Sequence, residues 1–415
     1  MFACSRLCYT PNHLAAMTLD LFQTVPQIEA MSAELKAERS RHQQQLQEAL
    51  ELLGSALDVQ ALKRKIETGK TTWLVAGLES GLGERFPLPP TPPDFYVVAT
   101  DGSHIDIDRH RTASCYLINV GLVALRYGEN AQAHLSNSPR LYSSKEEMVL
   151  SLPSSGNRGE PLRGELLGVK RGAEECRRLC DLVRQRAEPS PTLALLDGSL
   201  ILWGLTGGAY PEAVVQELLE TGLLACLGEL QQLAERGPLG VGSYISFPGN
   251  TEVVNALRVA VCPVEPVDCD RCSREGKEKE CERMAGLRDR DLFAGLLKPG
   301  ERSPIFYSRS SIVRKYYGRH EVCFFYLNVD DEIARVEVPR WVVEMGQTDL
   351  THALVYDQCR RGQGYPVVLS EAHEQAVLTG ADRERFWEMV EETMVKKGME
   401  TKGSAKSDSK RTRWI

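Results

Sequence analysis

Apolar positions recur with a helical period across residues 26–82, where Leu46, Leu50, Leu53 and Leu57 share one face of a segment rich in Glu, Gln and Lys. That spacing predicts helices. The stretch FPLPPTPPDF, from Phe86 to Phe95, carries five prolines. It cannot continue a helix and predicts a stiff extended linker, the clearest boundary in the chain. Beyond it the pattern changes to short β-branched and aromatic runs. FYVVATDGS predicts a buried strand whose end presents Asp101, and the runs at 113–127 and 131–141 predict two more strands pairing with it as a meander. Over residues 163–186, Leu166, Ala173, Cys176, Leu179, Cys180 and Val183 mark one face of a helix. TLALLDGSLILWG then predicts another apolar strand, this one presenting Asp197. A helix over 211–235, strands over 241–247, 322–328 and 333–338, and a helix over 349–361 follow, and GYPVVLSEAH reads as a strand running into a helix. From Lys396 onward the chain is mainly Lys, Ser, Gly, Thr and Arg, the composition of a disordered basic tail.

The resulting organisation is an N-terminal helical extension with its proline-rich linker at 1–90, a main α/β domain at 91–395, and a tail at 396–415. With 42% hydrophobic and 26% charged residues, the main part has material for a sizeable core. No run approaches the length needed to span a bilayer, and the N-terminus lacks a signal-peptide pattern, so the expectation is a cytoplasmic protein with no membrane partner. A net charge of −7 opposes unaided binding to DNA, because neutralisation of phosphates by Lys and Arg supplies most of the non-specific affinity. A local basic stripe or a partner protein would have to supply the grip.

Two buried strands that each lead into Asp-Gly-Ser carry the chemistry. Glycine permits a tight turn directly after an acid that the strand holds rigidly. Asp-Gly alone is a common turn, but two copies behind two buried strands form a pattern. Three strands, a helix and a fourth strand with its own aspartate give the order of a ribonuclease-H-like fold, a mixed sheet flanked by helices. In that fold the first and fourth strands lie side by side, so Asp101 and Asp197 converge. Convergent carboxylates hold hard cations such as Mg²⁺ or Mn²⁺, which polarise a phosphodiester and activate water.

TDGSH at Thr100–His104, LLDGSL at Leu195–Leu200, IARVEVPRW at Ile333–Trp341 and GYPVVLSEAHEQAVL at Gly364–Leu378 stand in the order of the motifs of the NurA nucleases. The sequence resembles that family from about Phe95 to about Val390. The resemblance implies a ribonuclease-H-like core and Mn²⁺-dependent hydrolysis of DNA ends, single- or double-stranded, by an exonuclease and single-strand endonuclease in double-strand break repair. It further implies a homodimer and a HerA-like hexameric translocase as partner. Asp101 and Asp197 match the family's strand acids, and Tyr365 and His373 match its C-terminal tyrosine and histidine. A helical glutamate completes the set. Glu174 and Glu175 are both candidates, with Glu175 preferred for its i±4 neighbours Arg171 and Leu179. His373 suits metal ligation or proton transfer, and Tyr365 suits orientation of a phosphate. His104 and His352 are weaker candidates of structural character. Where many relatives carry a lysine after the fifth strand, this chain reads VGSYISFPGN, which leaves Arg258 or Arg302 to replace it.

Of twelve cysteines, Cys115, Cys176, Cys180, Cys226 and Cys323 read as small core residues, whereas Cys262, Cys269, Cys272 and Cys281 cluster in polar sequence. Their C-x6-C-x2-C-x8-C spacing, an insertion at 262–281, suits structural Zn²⁺ or an iron–sulfur cluster. Unliganded surface thiols are the alternative. The leading reading is a metal-dependent deoxyribonuclease. A non-catalytic adaptor for a translocase and a zinc-dependent nucleic-acid-binding protein are the other two.

Overall fold

The computed structural model describes residues 21–55, 57–107, 113–150, 159–186, 190–208, 210–275 and 279–399. The first twenty residues, and the expected tail beyond residue 399, lie outside the described part.

Strands β1 (Gly77–Leu78), β2 (Phe95–Ile105), β3 (Tyr116–Tyr127) and β4 (Gln132–Tyr142) come first, then a two-stranded pair of β5 (Val149–Leu150) and β6 (Glu160–Pro161). They are followed by β7 (Thr192–Asp197), β8 (Leu239–Ile245), β9 (Phe306–Tyr307), β10 (Val322–Asn328) and β11 (Ile333–Pro339). All but β5 and β6 join one mixed sheet in the order β1-β9-β10-β11-β8-β7-β2-β3-β4. β2, β3 and β4 form an antiparallel meander, while β7 runs parallel to both β2 and β8. A meander whose first strand is flanked by a parallel fourth strand, reached through the helix Glu165–Arg184, is the ribonuclease-H-like arrangement expected from the sequence.

The central strands carry apolar residues on consecutive positions because helices cover both of their faces. Val97, Val98 and Ala99 on β2 and Leu193 to Leu195 on β7 are fully buried. β4, at the sheet edge, is polar, largely exposed and contains Pro139, which guards an edge against further pairing. Helix Glu165–Arg184 buries Leu166, Cys176, Leu179, Cys180 and Val183 in the main core. The hydroxyl of Thr100 donates to the carbonyl of Glu175 at 2.9 Å and pins that helix against β2.

A second helix, Val367–Ala376, packs against β2 and β3. It occupies sequence read above as a strand entry, and that expectation is corrected. Val367 and Val368 suggested a strand, but Val368, Leu369, Ala372 and Ala376 are the buried positions, a helical spacing that tertiary packing rewards over local β-propensity. Gly121 makes the approach possible, since a Cβ there would stand 2.1 Å from the carbonyl oxygen of Ala372.

The N-terminal helices are Val25–Gly54 and Val59–Thr68. Helical structure ends at Thr68, short of the expected residue 82, and the chain continues in extended form to place β1 beside β9. Leu53, Leu62 and Ile66 share a second core with Val253, Leu257, Phe293, Phe306 and Phe324. At the margin of that core Arg335, fully buried on β11, pairs with Glu252 and, at 2.9 Å, with Glu337. No helix among the described residues is long and apolar enough to cross a membrane.

Candidate active site

Parallel pairing of β2 with β7 sets Thr100 beside Leu196, so the next residues, Asp101 and Asp197, reach the same level on adjacent strands. Each carboxylate accepts from the backbone N–H of its own glycine, Asp101 from Gly102 at 2.7 Å and Asp197 from Gly198 at 3.0 Å. Gly198 has a φ of +82°, a conformation glycine adopts without strain. His373, on the exposed side of its helix, brings Nδ1 to 2.8 Å from Oδ2 of Asp101. The hydroxyl of Tyr365 donates to Asp197 at 3.0 Å, and its ring packs edge-on against Tyr244 at 5.4 Å.

The structure separates the two helical glutamates. Glu174 faces the opposite way, where Lys170 and Arg177 hold it at 2.8 and 2.9 Å. Burial would raise its pKa, but these cations more than offset it and the net shift is downward. Glu175 turns toward the strand acids, and its side chain is only 12% exposed. Burial pushes its pKa up to about 7, with Arg171 opposing and the charges of Asp101 and Asp197 adding to the rise. A side chain on residue 102 would collide with Glu175 Oε1 at 2.4 Å, so the glycine of the first Asp-Gly-Ser also makes room for the helix. Desolvation raises the pKa of Asp197 as well, Tyr365 opposing it and Asp101 adding to it. Raised pKa values at Glu175 and Asp197 mark a site that is short of positive charge.

Arg171 supplies part of that charge, with Nε 3.0 Å from Glu175 Oε1. Neither of those two atoms makes a hydrogen bond of good geometry, and both are buried. In the sequence Arg171 is only a helical neighbour of Glu175, and Arg258 and Arg302 are the expected cations. Arg258 instead stacks on Trp73, and Arg302 is buried against Phe86 and Asp349. A second set of residues escaped the sequence reading because it acts through the loop after Asp197. Glu337 accepts from the Ser199 hydroxyl at 2.8 Å and the Leu200 N–H at 2.9 Å. Tyr317 donates to Leu200 O and accepts from Leu202 N–H, and Trp203 donates to the Ser199 hydroxyl. His352 is buried with Nε2 2.8 Å from the Gly300 carbonyl, a structural place. His104 is half-buried, its pKa lowered by burial and by Arg171.

Cys262, Cys269, Cys272 and Cys281 line a separate cavity with Trp73 and Arg258. Among the described residues, no three histidine, cysteine or carboxylate side chains are already gathered closely enough to hold an ion.

The strand order and the acids on adjoining strands thus define an α/β protein of ribonuclease-H-like type with carboxylates on its central strands. A family model described as the NurA domain matches residues 95–378, and the chain belongs to that family, one of nucleases that process DNA ends. Among solved structures, the chain is similar to "LC9-RNase H1, a type 1 RNase H with the type 2 active-site motif", at 11% identity and a TM-score of 0.20, covering 51% of this chain and 88% of that one. The fold assignment rests on the strand order rather than on that superposition. Nothing among the curated proteins matches this chain.

Proposed function

We propose that this protein is a metal-dependent deoxyribonuclease that hydrolyses phosphodiester bonds at DNA ends, with Asp101, Asp197 and Glu175 as ligands for Mn²⁺ or Mg²⁺. The observation that carries the reading is the placement of Asp101 and Asp197 side by side on adjacent parallel strands with Glu175 turned toward them, where burial raises the Glu175 pKa to about 7 and the two aspartate charges add to the rise. Oxygen donors of like charge, one with a buried atom lacking a hydrogen bond, suit a hard divalent cation. Such an ion, when bound, activates water and offsets charge developing on the phosphate.

The chain's own groups have separate tasks in this reading. The backbone N–H groups of Gly102 and Gly198 aim the two aspartates. His373 either joins the ligands or exchanges protons with solvent, which its exposure allows. Tyr365 holds Asp197 in the free protein, and its one hydroxyl hydrogen bond passes to a phosphate oxygen when an ion takes over Asp197. Arg171 balances Glu175 and is available to a phosphate once an ion takes its place.

The same proposal includes double-strand break repair as the setting, a homodimer as the working form and a HerA-like hexameric translocase as partner. Family membership supports these, and a net charge of −7 gives a physical reason for a motor to deliver the DNA.

The test uses purified full chain and end-labelled linear DNA, single- and double-stranded, with Mn²⁺, with Mg²⁺ and with EDTA. Cleavage in either ion and none in EDTA is the expected result. Absence of cleavage in both ions, with and without the translocase, would leave the adaptor reading in its place.

A further inference from the structure

The function proposed above uses none of the four clustered cysteines. Cys262 follows the Glu252–Ala260 helix, Cys269 and Cys272 lie on the short Cys269–Glu275 helix, and Cys281 lies in the turn Glu280–Met284. Residues three apart on a helix share a face, and Cys269 and Cys272 both line one cavity of about 100 Å³ with Cys262 and Cys281. These four thiols are half-buried and free, while the six other described cysteines are buried. Polar chain that brings four thiols to the lining of one cavity, where the other described cysteines are core residues, is organised for something other than packing.

Cationic side chains border the four thiols, and Arg258 opposes the rise that burial imposes on the pKa of Cys281. Arg258 and Lys279 line the cavity. Arg258 also donates from Nε to the Cys281 carbonyl at 3.0 Å, with its guanidinium 4.3 Å from the Trp73 ring centre. Lys65, from the N-terminal helices, donates to the Cys262 carbonyl. The backbone is tied from both sides, because Cys269 N–H donates to Lys70 O at 3.0 Å and Lys70 N–H donates to Val267 O at 2.7 Å. Asp268 accepts from Arg271 N–H at 2.9 Å and sets the start of the helix that carries the C-x2-C pair.

We infer that Cys262, Cys269, Cys272 and Cys281 form a four-thiolate metal centre, for zinc or an iron–sulfur cluster, that fastens the insertion to the N-terminal segment through Lys65, Lys70 and Trp73. Zinc and iron–sulfur clusters share this ligand chemistry, and elemental composition distinguishes them. Because binding by thiolates releases protons and orders the loop, the centre contributes to the stability of this corner of the molecule.

The experiment uses untagged full chain purified without oxygen, assayed for zinc, iron and acid-labile sulfide and scanned in the visible range. About one zinc per chain, or iron and sulfide in matching amounts with broad visible absorption, is the expected result. The pair Cys269→Ser with Cys272→Ser should lower the metal content at least about tenfold, while Cys115→Ala should leave it unchanged. If the paired variant does not accumulate, a mercurial titration of wild-type protein replaces it, with metal release expected to track modification of the clustered thiols. Wild-type protein holding neither metal, or metal retained after those thiols are blocked or replaced, overturns the inference. These readouts do not depend on DNA cleavage, so they stand or fall separately from the proposed nuclease activity.

Discussion

His373 meets Asp101 at 2.8 Å, joining the Val367–Ala376 helix to the strand that carries the first acid of the cluster. The contact comes from the exposed face of the helix, while Ala372 beside it is fully buried against the sheet. One turn of helix therefore serves packing and chemistry at once. Replacing the acid should separate the two. Asp101→Asn and Asp197→Asn each remove a charge with little change in volume. Each should lower metal-dependent cleavage of linear DNA at least about 100-fold, near 3 kcal/mol of transition-state stabilisation. Circular dichroism and the thermal midpoint in metal-free buffer should stay at or above wild type, because one of three repelling charges is gone. Wild-type rates in either variant would remove these residues from the site.

Gly121→Ala tests how the helix reaches the sheet. The added methyl would lie 2.1 Å from the Ala372 carbonyl oxygen and 2.8 Å from the Ala376 nitrogen, both backbone atoms with no rotamer to escape into. The helix must shift, at a cost of about 1–3 kcal/mol by analogy with overpacked cores. Since His373 rides on the same turn, cleavage should fall with stability. Urea denaturation at an unchanged midpoint would show that the approach is looser than described.

Glu337 is the residue whose loss should be felt twice. It is 1% exposed, pairs with Arg335 at 2.9 Å and accepts two hydrogen bonds from the loop after Asp197. Glu337→Ala leaves Arg335 with Glu252 as its remaining carboxylate, and breaking a buried pair in this way costs about 3–5 kcal/mol. Glu337→Gln keeps an acceptor for Ser199 and Leu200 and should cost less. Denaturant unfolding of the two variants orders them, and equal stability of all three proteins would contradict the assignment.

Stability should fall as the solution is acidified from about pH 6.5 toward 4, in part through His320. This histidine is buried, and its Nδ1 accepts from the indole N–H of Trp341 at 3.2 Å, so it is held neutral. Burial, with Arg319 adding, pushes its pKa down from 6.5 to about 4. Below pH 6.5 the unfolded chain takes up a proton that the folded chain refuses. The lost stability grows as pH falls and levels off near pH 4, at about 3 kcal/mol in all. His320→Asn retains an acceptor for Trp341 and does not titrate. Its thermal midpoint should therefore fall less than that of wild type between pH 6.5 and 4, and parallel curves would refute the assignment.

Much of this was legible in the sequence where one property dominated. β2 and β7 are apolar on consecutive positions ahead of Asp-Gly, so both strands and both acids could be read, although only β7 stops at its acid while β2 runs on through Asp101 to Ile105 instead of turning there. The Glu165–Arg184 helix was visible from its apolar face, and the i−4 relation to Arg171 pointed toward Glu175. Local β-propensity at Val367 and Val368 misled, because packing against Gly121 decides that segment and no local pattern contains it. Arg335 and Glu337 left a faint signal, two opposite charges at alternate positions of an otherwise apolar strand. That alternation implies a buried pair on one face, but its attachment to the Ser199 loop depends on strands distant in sequence.

The guanidinium of Arg171 gives the carboxylate cluster a resident cation that cannot diffuse away. A tethered charge competes at an effective concentration set by its own linker, on the order of millimolar or above, whatever the surrounding solution contains. A monovalent ion brings no more charge than the arginine already does, whereas a divalent ion doubles the attraction to the same oxygens. For the proposed site, this internal rival sorts ions by valence before ligand geometry has any say, and it sets a threshold of free divalent metal below which the cluster stays closed by its own side chain.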